Sequence, residues 1–236
     1  MARKCVFCGG EPVTLEHVWP AWARALYGNA SSFDYELTRR GEPTRKWAAV
    51  GMDVEVKATC EGCNSGWMAA LEGRSKDVLT PMADGRYRIL HANDQKLLAL
   101  WALKTALMFK CVDRSSEGFN PAHYESLYEH LPGLPPRAYV LLGRFDPSDQ
   151  RDFYRSRDVY DATTGVQGKA PLHIAAFTLR QMVFLVAVSG DPTRGLEIES
   201  EYIRPLAPSR GTIEWPTKPV IDEPLFLGLI DVFPEA

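Results

Sequence analysis

No stretch of the 236 residues approaches the ~18 consecutive apolar residues that a membrane-spanning helix needs. A membrane role is therefore not expected. The chain also lacks an excess of either charge, with 27 Lys and Arg against 30 Asp and Glu and a formal charge of −3. That excludes a protein coated in basic residues, so any nucleic-acid surface has to be a local patch. Residues 1–4, Met-Ala-Arg-Lys, run into Cys5 without an apolar h-region, and a cytoplasmic location is expected rather than export. Internal repeats and low-complexity tracts are missing, and the aromatics follow no RRM-like or OB-like stacking pattern. What is present is 45% hydrophobic and 11% aromatic. Collagen-like and wholly disordered chains are ruled out, and there is enough apolar material for one large domain or two smaller ones.

Cysteine is sparse but patterned. Of five, four form two pairs, Cys5-Val6-Phe7-Cys8 and Cys60-Glu61-Gly62-Cys63. Disulfides are disfavoured in a reducing cytosol, and paired C-x-x-C knuckles then read as a metal site. Two residues between thiols let a tight turn aim both sulfurs at one ion. Two such turns complete a tetrahedral thiolate shell suited to structural Zn2+. Cys111 stands alone in an apolar helical run and reads as a buried, inert thiol.

The organisation suggests two parts, residues 1–90 and 91–236. In the first, 13–19 reads as a strand entering a turn at Pro20, and 21–26 as a short helix. Residues 29–47 are polar and Gly/Pro-punctuated, and read as a surface excursion. Its Arg39, Arg40, Arg45 and Lys46 either meet phosphates or are simply solvated beside Asp34, Glu36 and Glu42. Residues 54–57 alternate at period 2 and deliver Cys60. Asn64 is placed to cap a helix over 65–78 that stops before Pro81. In the second part, 95–112 is a helix apolar on most faces and so buried, with Lys104 and Lys110 snorkelling to its edge. A helix over 121–129 follows, then strands over 138–145, 153–162, 174–179 and 182–188. The last two can form a hairpin around Arg180-Gln181, and the Pro-rich tail from 205 lies extended over the body. His91, His123, His130 and His173 lack partners at metal-ligand spacing and read as surface or packing residues. The fold class is α+β, with no catalytic constellation after residue 91.

Between the knuckles stands Leu15-Glu16-His17-Val18-Trp19-Pro20. After the second comes Asn64-Ser65-Gly66-Trp67-Met68-Ala69-Ala70-Leu71-Glu72. Together with the four cysteines, these pieces resemble the HNH (ββα-metal, or His-Me finger) nucleases with a zinc-binding core, over roughly the first third of the chain. The resemblance implies a zinc-braced, treble-clef-like ββα-metal module at 1–90. An α+β domain of unassigned role, with a buried helix and antiparallel strands, would follow at 91–236. It also implies a metal-dependent endonuclease hydrolysing phosphodiester bonds, with double-stranded DNA as the expected partner. Cys5, Cys8, Cys60 and Cys63 would hold Zn2+. Glu16 and Glu72 would bind a catalytic Mg2+ or Mn2+, His17 would be the general base, and Asn64 would hold the loop carrying His17.

The residue types suit those roles. A neutral imidazole, with an ordinary pKa of about 6.5, can take a proton from water near neutral pH. Two carboxylates make a hard, oxygen-rich site that favours Mg2+ or Mn2+ over zinc. Glu72 stands where the family more commonly has His or Asn. Eight residues along a helix rotate a side chain by only about 80°, so Glu72 and Asn64 can face one cleft. Neighbouring strand residues point to opposite sides, so Glu16 and His17 serve one site only if a turn near Pro20 re-aims one of them. Cutting both strands often takes two sites, and a homodimer is an expectation on that ground. The alternative reading is a non-catalytic zinc module that binds nucleic acid or protein.

Overall fold

The computed structural model describes residues 3–27, 32–39, 42–50, 52–112, 121–146, 152–159, 172–189 and 200–229. The fold is mixed α/β with antiparallel sheets and a four-cysteine cluster. Strand β1 (Val13–His17) leads through Pro20 into the short helix α1 (Ala21–Ala25). After strands β2 (Ser32–Arg39) and β3 (Glu42–Val50), β4 (Glu55–Cys60) returns antiparallel to β1. Val13 lies opposite Cys60 and His17 opposite Glu55, with a register shift between Thr14 and Leu15.

A wide helical segment, Gly62–Met68, carries the second knuckle into helix α2 (Ala69–Ala83). Gly66, at φ −88° and ψ −109°, breaks that segment outside the helical well. Two expectations are corrected here. The helical path begins ahead of Ser65, with Asn64 inside it rather than capping it. It also continues through Pro81. Pro81 falls in the last turn, so the one i→i−4 bond it forfeits, to Asp77 O, lies close to where the helix ends. The stop comes later: Gly85, at φ +73°, bonds back to Met82, and Arg86 N–H to Pro81 O, a Schellman closure.

The 29–47 excursion is also corrected. It contains β2 and the first two-thirds of β3, paired antiparallel, and β2 runs parallel to β7 (Asp152–Val159). Phe33, Tyr35 and Leu37 alternate with Asp34 and Glu36, a period-2 pattern obscured by the flanking Gly and Pro. The side chains of Arg39, Arg40 and Arg45 lie outside the described residues, and Lys46 is exposed.

Helix α3 (Ala92–Lys110) is buried at every position from Leu98 onward. Lys104 is 0% exposed and Lys110 7%, so neither snorkels to the helix edge. Beyond α4 (Pro121–Glu129) come β6 (Ala138–Phe145), β8 (Leu172–Leu179) and β9 (Met182–Ser189). The last two form the anticipated hairpin, with Arg180 at φ 55° in its turn. The tail is more structured than an extended strap. It holds β10 (Ile203–Ala207), β11 (Ile213–Trp215), β12 (Val220–Ile221) and α5 (Glu223–Gly228). Strand β11 pairs with the short β5 (Arg88–Leu90), and the large sheet runs β10-β6-β9-β8-β7-β2-β3, with β12 added beside β6.

One apolar cluster joins both parts of the chain. Trp19, just past β1, meets Trp101 and Phe109 of α3 and Phe177 of β8, with ring centroids 5.3–6.3 Å apart. Phe7, inside the first knuckle, packs edge-on against Trp67 and Tyr124. Val18 and Trp19 therefore anchor the end of β1 in the core, which fixes where Glu16 and His17 can be.

Candidate metal centre and acidic pocket

The two knuckles meet because β1 and β4 pair. Val13 opposite Cys60 sets the strand that follows the first knuckle against the strand that delivers the second. The Sγ atoms of Cys5, Cys8, Cys60 and Cys63 all lie within 4.8 Å of one another, and those of Cys8 and Cys60 are 3.4 Å apart. Among the described residues this is the group of His, Cys, Asp or Glu side chains gathered closely enough for one ion. Four sulfurs so placed can hold a metal and fit tetrahedral zinc.

The backbone is adapted to the sulfurs. Gly9 takes φ +71° and donates to Cys5 O, while Gly10 N–H lies 3.4 Å from Cys8 Sγ. A β-carbon on Gly10 would come within 3.3 Å of Cys8 Sγ. Burial opposes ionisation of Cys5, but backbone donors from Cys8, Cys60 and Phe7 outweigh it and bring the thiol down to about 7. Burial, first of all, pushes the Cys8 and Cys63 thiols up. An incoming ion must therefore displace protons, and its affinity falls as the solution is acidified. Cys111, read from the sequence as a buried thiol, is half-buried. Burial raises its thiol to about 12, and it lies 3.5 Å from Tyr124 OH.

The Glu16-His17 pair divides between the two faces of β1. Glu16 lies opposite buried Val56, and His17 opposite exposed Glu55. Strand alternation is not undone by any re-aiming turn. His17 Nε2 is 3.1 Å from both Asp53 Oδ1 and Glu55 Oε1, and Arg24 Nη1 approaches the same Asp53 oxygen at 3.4 Å. The ring is partly exposed and held at one nitrogen by two carboxylates. Neither was singled out beforehand. The Asp53-Val54-Glu55 alternation, which sets both carboxylates on one face, was the available signal.

On the inner face Glu16 is half-buried, and its surroundings contain Asn64, Glu72, Lys104 and Glu61. Burial raises its carboxyl most. The Lys104 ammonium works against that, Glu72 and Glu61 add to it, and a hydrogen bond from Asn64 lowers it. Asn64 is thus a neighbour of Glu16, whereas the ring of His17 is held by Asp53 and Glu55. Glu72 binds Lys104, with Oε1 2.5 Å from Nζ. Lys104, read from the sequence as a snorkelling cation, is the third residue whose role was missed. A lysine in the middle of the otherwise apolar run 97–109 was the sign of a buried ion pair.

Comparison with protein-family models, with curated proteins and with solved structures found no match. Among the described residues no helix is long and apolar enough to cross a membrane.

Glu16 makes a pH prediction possible. A carboxyl raised in the folded state favours the protein while protonated, so its contribution falls as pH rises from the unfolded value near 4.5 through the raised folded one. Glu16→Gln is therefore expected to raise the melting temperature at pH 7, without added divalent cation. The gain should shrink as pH falls toward 4.5. Thermal scans across that range check it, and a constant or inverted difference contradicts it.

Proposed function

We propose that this chain is a zinc-braced, HNH-type metal-dependent endonuclease that hydrolyses phosphodiester bonds, with double-stranded DNA as its first expected substrate. The observation that carries the reading is the four-sulfur cluster fastening β1 to β4 and the following helix, with Glu16-His17 at the end of the fastened strand. A β-β-α unit this small has too little core to hold its shape alone, and Zn2+ would supply the brace.

His17 is the proposed base. Asp53 and Glu55 engage Nε2, which favours the tautomer with its proton there and leaves the Nδ1 lone pair to accept a proton from water. Glu16 and Asn64 offer hard oxygen donors that suit Mg2+ or Mn2+, while Glu72 is engaged by Lys104. Such a cation, when bound, stabilises charge on the departing oxygen. Glu16 and His17 face opposite ways, so a substrate served by both must straddle the end of β1, where the strand stops.

That same division favours one rival, a non-catalytic zinc module that binds nucleic acid or protein. Supercoiled plasmid, single-stranded DNA and RNA, each incubated with zinc-loaded protein and Mg2+ or Mn2+, separate the two. Cation-dependent cleavage of plasmid is the expected result. If no substrate is cut at any cation concentration, the nuclease reading is overturned.

A further inference from the structure

Lys104 sits in the middle of α3 between Leu103 and Thr105, with no exposed surface. An ammonium withdrawn from water is tolerated only where an opposite charge meets it. Glu72, reaching in from α2 with its side chain 15% exposed, provides that charge at 2.5 Å. The same ammonium acts on Glu16, which also receives the Asn64 hydrogen bond. Two carboxylates from different elements thus converge on one pocket that already contains a cation of the protein's own.

We propose that Lys104 is the resident cation of this pocket: it neutralises Glu72, withdraws that carboxylate from any divalent-ion shell, and leaves Glu16 with Asn64 as the donors facing an incoming ion. The inference rests on reading the pocket as a divalent-cation site, but its test does not depend on cleavage. With Glu61 the same in every variant, and with Glu16 and Glu72 ionised and Lys104 charged, these last three groups together carry one net negative charge. Glu72→Gln brings it to zero, Lys104→Met brings it to two, and the double variant restores one.

The experiment titrates Mn2+ into zinc-loaded protein and follows the free ion by electron paramagnetic resonance. A full charge a few ångströms away, incompletely screened, changes affinity by about tenfold or more. Lys104→Met is expected to bind Mn2+ at least about tenfold more tightly than the parent, Glu72→Gln about tenfold more weakly, and the double variant like the parent. Lys104→Met strands Glu72, so its melting temperature should fall and the double variant should recover most of the loss. If Lys104→Met does not fold, the double variant is compared with Glu72→Gln and is expected to bind more tightly. Equal affinities in that comparison overturn the proposal. So does Mn2+ binding that is abolished by Glu72→Gln yet unmoved by Lys104→Met, or the absence of Mn2+ binding by all four proteins. A protein that follows the charge order without cutting nucleic acid retains the cation pocket and loses the nuclease reading. One that cuts but breaks the order loses only the role given to Lys104.

Discussion

Cys63→Ser is expected to reduce bound zinc well below one ion per chain and to lower the melting temperature by about 10 °C, from a loss of roughly 3–5 kcal/mol. Cys63 is 3% exposed, and its sulfur is one of the four within 4.8 Å. A hydroxyl there is a poor zinc ligand and leaves three sulfurs facing a vacant corner. The effect should stay below that seen for isolated zinc fingers, which unfold outright without metal. Here the module has a second attachment, through Phe7 against Trp67 and Tyr124 and Trp19 against Trp101, Phe109 and Phe177. Those contacts should keep the chain partly ordered while the β1–β4 pair loosens. Metal analysis and calorimetry on the purified variant test this. Unchanged zinc content and stability would mean the cysteines do not act as one site.

His17→Ala is expected to reduce cleavage by about 10²–10⁴-fold, the range a positioned acid–base group supplies. Zinc content should not change, because the sulfurs are held by the knuckles. Stability should move by less than about 1 kcal/mol, since the contacts of His17 with Asp53 and Glu55 are partly exposed and screened. The combination distinguishes a chemical role from a structural one. A variant that cuts at the parent rate shows that His17 is not the base. One that loses cutting together with zinc shows that the substitution has damaged the fold.

Much of this arrangement was legible in the residues. The C-x-x-C knuckles could be paired on spacing alone, because two residues between thiols leave few ways to aim both sulfurs. The helix at 121–129, the strand at 138–145 and the hairpin around Arg180 follow from local periodicity and turn position. The parts that escaped depend on non-local pairing. Strands β2 and β3 read as a loop because nothing in 29–47 announces that β7, more than a hundred residues later, runs beside β2. Lys104 read as a snorkelling cation because its partner Glu72 is 32 positions away on another helix. Asp53 and Glu55 became neighbours of His17 only once the β1–β4 register set His17 opposite Glu55. The alternation rule did predict that Glu16 and His17 face opposite ways, and Pro20 does not reverse it: it follows two buried residues, Val18 and Trp19, that lock the end of the strand.

The claim beneath all of this is that one ion joins the two knuckles and thereby fixes the strand carrying Glu16 and His17. X-ray absorption at the zinc edge on the purified full-length chain tests it most directly. The account predicts one zinc per chain with four sulfur neighbours at about 2.3 Å and no nitrogen or oxygen ligand. A chain free of zinc, with the cysteines joined as disulfides, or a shell completed by imidazole or water, would contradict it.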